Sequence, residues 1–184
     1  MPSSRPEPIP YIVNKIISLK PRYILDVGVG FGKWGFLARE YTDVWLNHLV
    51  DPVGFKKENW KTQIDGIEIF EPYVTDLLKQ IYDHIWIGDA VELIPIGNIK
   101  YDIIIASDIL EHMDHEKGKE LITHIKEASK YAYIVTPINV LQQGKVYENV
   151  HETHVLGWSQ RALEHYGTVT IAGGAYILET NNPS

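Results

Sequence analysis

The chain has 184 residues, enough for one well-buried core and too few for two ordinary domains. Apolar residues make up 45% and charged residues 22%, an ordinary globular balance, and the lack of cysteine excludes a disulfide framework, thiolate metal sites and cysteine catalysis. A net charge of −7 argues against a nucleic-acid partner without excluding a small basic patch; with neither a membrane-length apolar run nor a signal-peptide pattern, the expected location is cytoplasmic.

Residues 1–8 hold three prolines and two serines and are expected to be a loose lead-in. Ile12, Ile16 and Leu19, with Val13 and Ile17 beside them, form a helical stripe from Tyr11 that Pro21 stops. Ile24-Leu25-Asp26-Val27 is a short strand, and Gly28-Val29-Gly30-Phe31-Gly32 is a glycine-rich turn opening directly into a helix through Trp34, Leu37, Ala38 and Tyr41. Residues 42–62 have no clean period and are read as an insertion containing Trp45 and Trp60. Gly66–Phe70 reads as a second strand, followed by Glu71-Pro72 as a cap with first-turn proline and a helical stripe at Val74, Leu77, Leu78 and Ile81.

Ile85–Ile87 is a third strand, closing at Gly88-Asp89, and Tyr101–Ala106 a fourth whose apolar centre suits a strand covered on both faces. Leu121, Ile122, Ile125 and Ala128 stripe the next helix, and Ala132–Val135 is a fifth strand stopped by Pro137. After an irregular stretch over 138–158, Ser159 caps a helix through Leu163 and Tyr166 that leaves at Gly167. Thr168–Ile171 and Ala175–Leu178, joined by Gly173-Gly174, read as a terminal hairpin. The pattern predicts a single α/β domain. It is Rossmann-like, with a mostly parallel sheet ending in an antiparallel hairpin strand and helices on both faces.

Glycines at 28, 30 and 32 remove side chains where a backbone bends and meets a bound molecule, although a tight strand-to-helix turn without a ligand would use them too. The position of a dinucleotide fingerprint's third glycine holds Lys33. Asp26, Glu68 and Asp89 stand at consecutive strand ends, and in an open α/β sheet those ends line one crevice. Glu68 is suited to a ribose diol and Asp89 to an exocyclic amine, while Asp26 can hold either the glycine loop or a ligand ammonium. Each acid alone is equally readable as an ordinary cap.

Together these motifs resemble the class I S-adenosylmethionine (SAM)-dependent methyltransferases over nearly the whole chain. Leu25–Gly32 is similar to their first motif, Glu68 to the ribose acid, Asp89 to the adenine acid, and Tyr101–His112 to the acidic region after strand four. The resemblance implies a seven-stranded sheet with SAM across the switch point. It also implies a cofactor site built from Asp26, Gly28, Gly30, Gly32, Glu68, Ile69, Asp89, Ala90, Ser107 and Asp108.

Asp108, Glu111 and His112 fall on one face if their segment turns helically, and His151-Glu152-Thr153-His154 lies before Trp158 in the irregular stretch. That stretch leaves the carboxyl end of strand five and is expected to be a lid on the acceptor side. The expected catalytic set is His154, His112 and Asp108, with His154 as base. Two acids and two imidazoles can also bind a divalent ion. Similar Glu/His sets occur in small-RNA 3′-terminal 2′-O-methyltransferases and quinone-pathway O-methyltransferases. Asp108 shortens the first side chain of such a set, so no metal requirement is expected. His115, His124 and His165 are expected at the surface, and Trp45, Trp60 and Trp158 suit core anchors or substrate walls equally.

The expected activity is methyl transfer to a small-molecule or glycan acceptor, at oxygen. The alternatives are an RNA ribose 2′-O-methyltransferase built on the metal set, and a SAM-binding domain without turnover.

Overall fold

Apolar runs separated by amphipathic segments build one seven-stranded sheet, with the carboxyl ends of every strand but the last on a common edge. The computed structural model describes residues 3–45, 56–140, 144 and 149–182. Its strands are β1 (Tyr23–Val27), β2 (Gln63–Glu68), β3 (His84–Ile87), β4 (Tyr101–Ser107), β5 (Ser129–Pro137), β6 (Thr168–Ala172) and β7 (Ala175–Asn181). Their order is β3-β2-β1-β4-β5-β7-β6, with β7 antiparallel to both neighbours and the other pairings parallel. The order reverses between β1 and β4, opening a crevice there.

Strand alternation splits the core. Ile24, Ile64, Ile103, Ile105, Tyr133 and Ile177 face α1 (Ile9–Leu19), α2 (Lys33–Arg39) and α3 (Asp76–Ile81). Leu25, Ile67, Ile104, Ala132 and Leu178 face α4 (Ala90–Ile96), α5 (His115–Ala128) and α6 (Gln160–Leu163). Helices therefore cover both faces, as the sequence predicts. Among the described residues no helix is long and apolar enough to cross a membrane.

Three differences from expectation have physical reasons. First, β2 runs Gln63–Glu68 rather than Gly66–Phe70. Asp65 breaks its apolar pattern, yet it is fully buried and bonded by Tyr101 Oη at 3.1 Å, Gln63 Nε2 at 2.7 Å and His84 Nδ1 at 3.1 Å. Second, α4 has no counterpart in the sequence reading, because it is a two-turn helix with Pro95 inside; Asp89 caps it by accepting the Val91 N–H at 2.9 Å.

The third difference is in the 42–62 stretch, where residues 46–55 lie outside the described residues. Its flanks are tied to the body by Arg39, which is buried and unflagged in the sequence reading. Arg39 donates to Asp43 at 2.7 Å, to the Thr62 carbonyl at 2.6 Å and to Asp83 at 2.8 Å, with its guanidinium 4.2 Å from the Trp60 ring centre. The Trp60 ring thus serves packing.

Tyr82 is the plug of the α2/α3 side. Three glycines make room for it and its neighbour Leu78. A Cβ at Gly35 would lie 2.1 Å from Tyr82 Cζ, one at Gly66 3.3 Å from Tyr82 Cδ1, and one at Gly32 2.2 Å from Leu78 Cδ2. In an open helix Gly→Ala would stabilise by about 1 kcal/mol. Here overpacking outweighs that gain, so Gly35→Ala is expected to destabilise by about 1–3 kcal/mol in urea unfolding. A variant as stable as the parent would show that the Tyr82 packing yields freely.

Candidate active site

A cavity of about 770 Å³ follows the carboxyl ends of β3, β2, β1 and β4. Gly28 and Gly30 line it with bare backbone at φ 78° and 51°, in the left-handed region where a side chain is strained. The loop is anchored twice to β2. Gly28 N–H donates to the Ile67 carbonyl at 2.8 Å, and Gly30 N–H donates to Glu68 Oε2 at 2.8 Å. Glu68 Oε1 accepts the Phe70 N–H at 2.9 Å, so the carboxylate is clamped from both sides. Only 5% of Glu68 is exposed, and burial pushes its carboxyl above the usual range against the pull of these bonds.

Ile69, Asp89, Ala90, Ser107 and Asp108 line the same cavity. Asp89 combines its cap role with this position, and its other oxygen lies 3.8 Å from Lys117 Nζ. Asp108 leaves β4 at φ 55°, a left-handed conformation that a short polar side chain tolerates.

Two residues expected at the cofactor are not in the cavity wall. Asp26 sits on the opposite strand face, where it accepts the Tyr82 hydroxyl at 2.5 Å, and that hydroxyl in turn accepts the Gly35 N–H at 3.1 Å. Burial pushes its carboxyl up to about 7, and its second oxygen is buried without a hydrogen-bond partner among the described residues, as suits a protonated acid. Gly32 precedes α2 and is occupied with Leu78. Strand alternation and helix packing explain both placements.

On the other side of Asp108, a short turn over Leu110–His112 brings Glu111 and His112 to the cavity. His154, 42 positions along, joins them, with its ring centre 4.9 Å from that of His112. Glu111, His112 and His154 each offer one ligand atom, all within 4.8 Å of one another. Burial, then the charge of Asp108, pushes the Glu111 carboxyl up to about 8. Burial holds the His112 imidazole below its usual range, while its Nδ1 faces the Thr153 carbonyl at 3.2 Å. The neutral ring then presents Nε2 as a base or ligand atom.

The 138–158 stretch includes residues 141–143 and 145–148, which lie outside the described residues. Its described part follows the cavity through Asn149, His151, Glu152, His154 and Val155. Val155 N–H donates to the Glu111 carbonyl at 2.7 Å, and Tyr73 Oη donates to the buried Glu152 at 3.1 Å. Tyr73 went unnoticed because Glu71-Pro72 looks like a helix start; Phe70 meets it edge-on at 4.9 Å. Trp158 is a core anchor rather than a substrate wall, buried over Gly118 with its indole N–H 3.4 Å from the Leu110 carbonyl. His115 and His165 are exposed, and His124 is half-buried against the Val91 carbonyl.

Nor is the lead-in loose over residues 3–8. Ser3–Pro6 form part of the cavity wall. Arg5 donates its backbone N–H to Asp108 Oδ2 at 3.1 Å, its Nε to Asp108 Oδ1 at 3.3 Å and its Nη1 to the Gly174 carbonyl at 2.9 Å. Lys33 Nζ donates to the Ser4 carbonyl. These charged anchors lie 29 to 169 positions apart in sequence, beyond any local pattern.

Solved structures with this architecture include an O-methyltransferase family protein from Burkholderia thailandensis (TM-score 0.62, 12% identity, 95% of this chain over 56% of that one). Another is the 1,6-didemethyltoxoflavin-N1-methyltransferase of the same organism, with bound 1,6-didemethyltoxoflavin and S-adenosylhomocysteine (TM-score 0.62, 15% identity, 96% over 77%). A third is the methyltransferase domain of bacterial CtHen1-C (TM-score 0.58, 16% identity, 97% over 98%). The fold is that of the SAM-dependent methyltransferases. This chain spans little more than half the length of the O-methyltransferase family protein. No family model matches the sequence, and no curated protein matches it.

The buried Asp26 gives the methyltransferase fold a pH signature. Its folded carboxyl titrates at about 7, against about 3.9 in an unfolded chain. The native state keeps a proton that the unfolded state releases, so Asp26's contribution to stability is complete below the unfolded value and is lost as pH rises to about 7. Asp26→Asn is expected to flatten that slope, measured by denaturant unfolding at a series of pH values. An unchanged slope would mean that Asp26 is ionised in the folded protein.

Proposed function

We propose that the chain is a SAM-dependent methyltransferase acting on the oxygen of a small-molecule or glycan acceptor. The observation that carries this reading is the bare Gly28–Gly30 backbone along the crevice, with Glu68 clamped beside it by the Gly30 and Phe70 N–H groups. Each Glu68 oxygen has a lone pair beyond its backbone bond, which fits a vicinal diol. Asp89 stands one strand further out on the same cavity wall, on the side where a nucleobase would extend beyond its ribose. When bound, SAM supplies a methyl group on an already activated sulfonium.

The protein's remaining work is to exclude water, align the acceptor and take its proton. The 149–155 segment, tied down through Glu111 and Tyr73, covers the acceptor side. His112 and His154 together provide imidazole nitrogens beside Asp108 and Glu111, and His154 is assigned as the base that receives the acceptor's hydroxyl proton. Glu68→Ala is expected to weaken S-adenosylhomocysteine binding by roughly 1.5–3 kcal/mol, read by titration calorimetry, through loss of charge-assisted hydrogen bonds. Equal affinity in a folded variant would remove the ribose assignment.

The clustering of Glu111, His112 and His154 favours a second reading, in which the same groups hold a divalent ion. A bound ion would supply Lewis-acid activation of a hydroxyl, for which an RNA ribose 2′-hydroxyl is the alternative acceptor. The two readings separate on one enzyme preparation. As a base, His154 predicts that His154→Ala slows transfer by roughly 10²–10⁴ with activity indifferent to EDTA. As a ligand, it predicts activity lost in EDTA and restored by magnesium, manganese or cobalt.

A further inference from the structure

The cavity occupies the carboxyl edge of the sheet, and the amino edge opposite it carries a row of cations. β2, β1, β4 and β5 are adjacent and parallel, so their first residues line one edge. Lys61 stands two residues before β2, Arg22 and Lys100 immediately before β1 and β4, and Lys130 second in β5. All four are exposed, on successive strands that run about 4.8 Å apart. The acids at this edge are committed elsewhere. Asp102 accepts the Arg22 N–H at 2.8 Å, the Tyr23 N–H at 3.1 Å and the Lys130 ammonium at 2.7 Å. Asp43 and Asp83 accept the Arg39 guanidinium, at 2.7 and 2.8 Å. Within three residues of the four cations, the exposed acids are Glu58 and Glu127. Among the described residues, the side chains of Arg22, Lys61 and Lys100 have no ion pair or hydrogen bond.

An aromatic strip lies on the same half of the sheet. Tyr23 alternates with Leu25 and Val27, and Trp86 is in register with Ile67; Leu25, Val27 and Ile67 belong to the core under α4 and α5. Tyr23, His84 and Trp86 therefore share that face. The helix α4 is only two turns long, and the chain after it is exposed from Ile96 to Asn98, so the rings beyond its end stay in water. Tyr23 is 43% exposed and Trp86 40%. The His84 and Trp86 rings stack with centres 5.9 Å apart and 17° between their planes. The buried Asp65 carboxylate, 3.1 Å from His84 Nδ1, steadies that stack.

We propose that this amino edge binds single-stranded nucleic acid, with bases stacked on Trp86, His84 and Tyr23 and phosphates against Lys61, Arg22, Lys100 and Lys130. Every base has a face that an aromatic ring can cover, and every nucleotide brings a phosphate for a cation, so rings beside a cationic row match both halves of the strand. The net charge of −7 opposes such a partner only on average. Binding answers to the local field, and the carboxylates that line the cavity stand at the other edge of the sheet. An acidic peptide would satisfy the cations and leave the rings bare, and a duplex keeps its base faces stacked on one another. The site is separate from the cavity and does not depend on the SAM reading.

Fluorescence anisotropy with short labelled oligouridylate and oligothymidylate tests this. At about 50 mM salt the wild type is expected to bind single strands at micromolar concentration, with affinity falling steeply toward about 200 mM, and to bind a duplex of equal length several-fold more weakly. Lys61→Glu combined with Lys100→Glu is expected to weaken binding by roughly tenfold or more. Trp86→Ala is expected to weaken it by roughly fivefold or more, through loss of a stacked base. Both variants are surface changes and should keep the wild-type circular dichroism spectrum. The sign of any preference between the two strands assigns RNA or DNA to the site. A wild type that binds neither strand at about 50 mM salt overturns the proposal. So does equal affinity in the charge-reversed variant, which puts the strand elsewhere. Polyglutamate bound as tightly as the oligonucleotides, with Trp86→Ala unchanged, gives the cations to an acidic protein and overturns it too.

Discussion

The hydrogen bond from Gly30 N–H to Glu68 Oε2 is the joint on which the candidate site depends. It ties the turn after β1 to the tip of β2, and the second Glu68 oxygen ties that tip to Phe70. A carboxylate removed from water needs such donors, so the loop and the acid fix one another. Without the acid, the loop would lose the acceptor of a buried N–H. Without the glycine's left-handed backbone, that N–H would point elsewhere.

Around this joint, among the described residues, carboxylates outnumber Lys and Arg side chains in the cavity wall. Glu68, Glu111 and Glu152 are all buried there, with Asp89 and Asp108 at the margins. Burial raises the Glu68 and Glu111 carboxyls, while Arg5 and Lys33 lie toward Asp108 and Lys117 toward Asp89. Such a cavity favours a ligand that brings positive charge with it. A sulfonium with an ammonium, or a divalent ion, each meets that electrostatic demand.

The sheet was legible in the sequence wherever a strand was apolar throughout, as in β4 and β5, and hidden where a polar residue was satisfied out of sequence. Asp65 disguised the start of β2 because Tyr101 and His84, which pair with it, come from other strands. The short α4 escaped because two turns with an internal proline show no period. At the site, the glycine loop, Glu68, Asp89 and Asp108 were visible as strand-end residues. Asp26 looked equivalent but belongs to the other face, a distinction that depends on which neighbour has space for it. The 3–6 segment and the meeting of His112 with His154 are long-range contacts between loops, where no periodicity exists to be read.

The backbone at Asp108 carries a consequence for the residue itself. At φ 55° it occupies a conformation that costs an ordinary L-residue roughly 1–2 kcal/mol and that glycine, asparagine and aspartate bear most easily. Glycine would forfeit the two oxygens that receive Arg5, and asparagine would forfeit the charge. A glutamate would carry more of that cost, because its longer side chain is less suited to the local hydrogen bonds that ease a left-handed turn. Aspartate is thus the acid that the handedness of this turn favours. The length of the side chain at 108 is set by the path of the backbone, whatever cation the neighbouring groups receive.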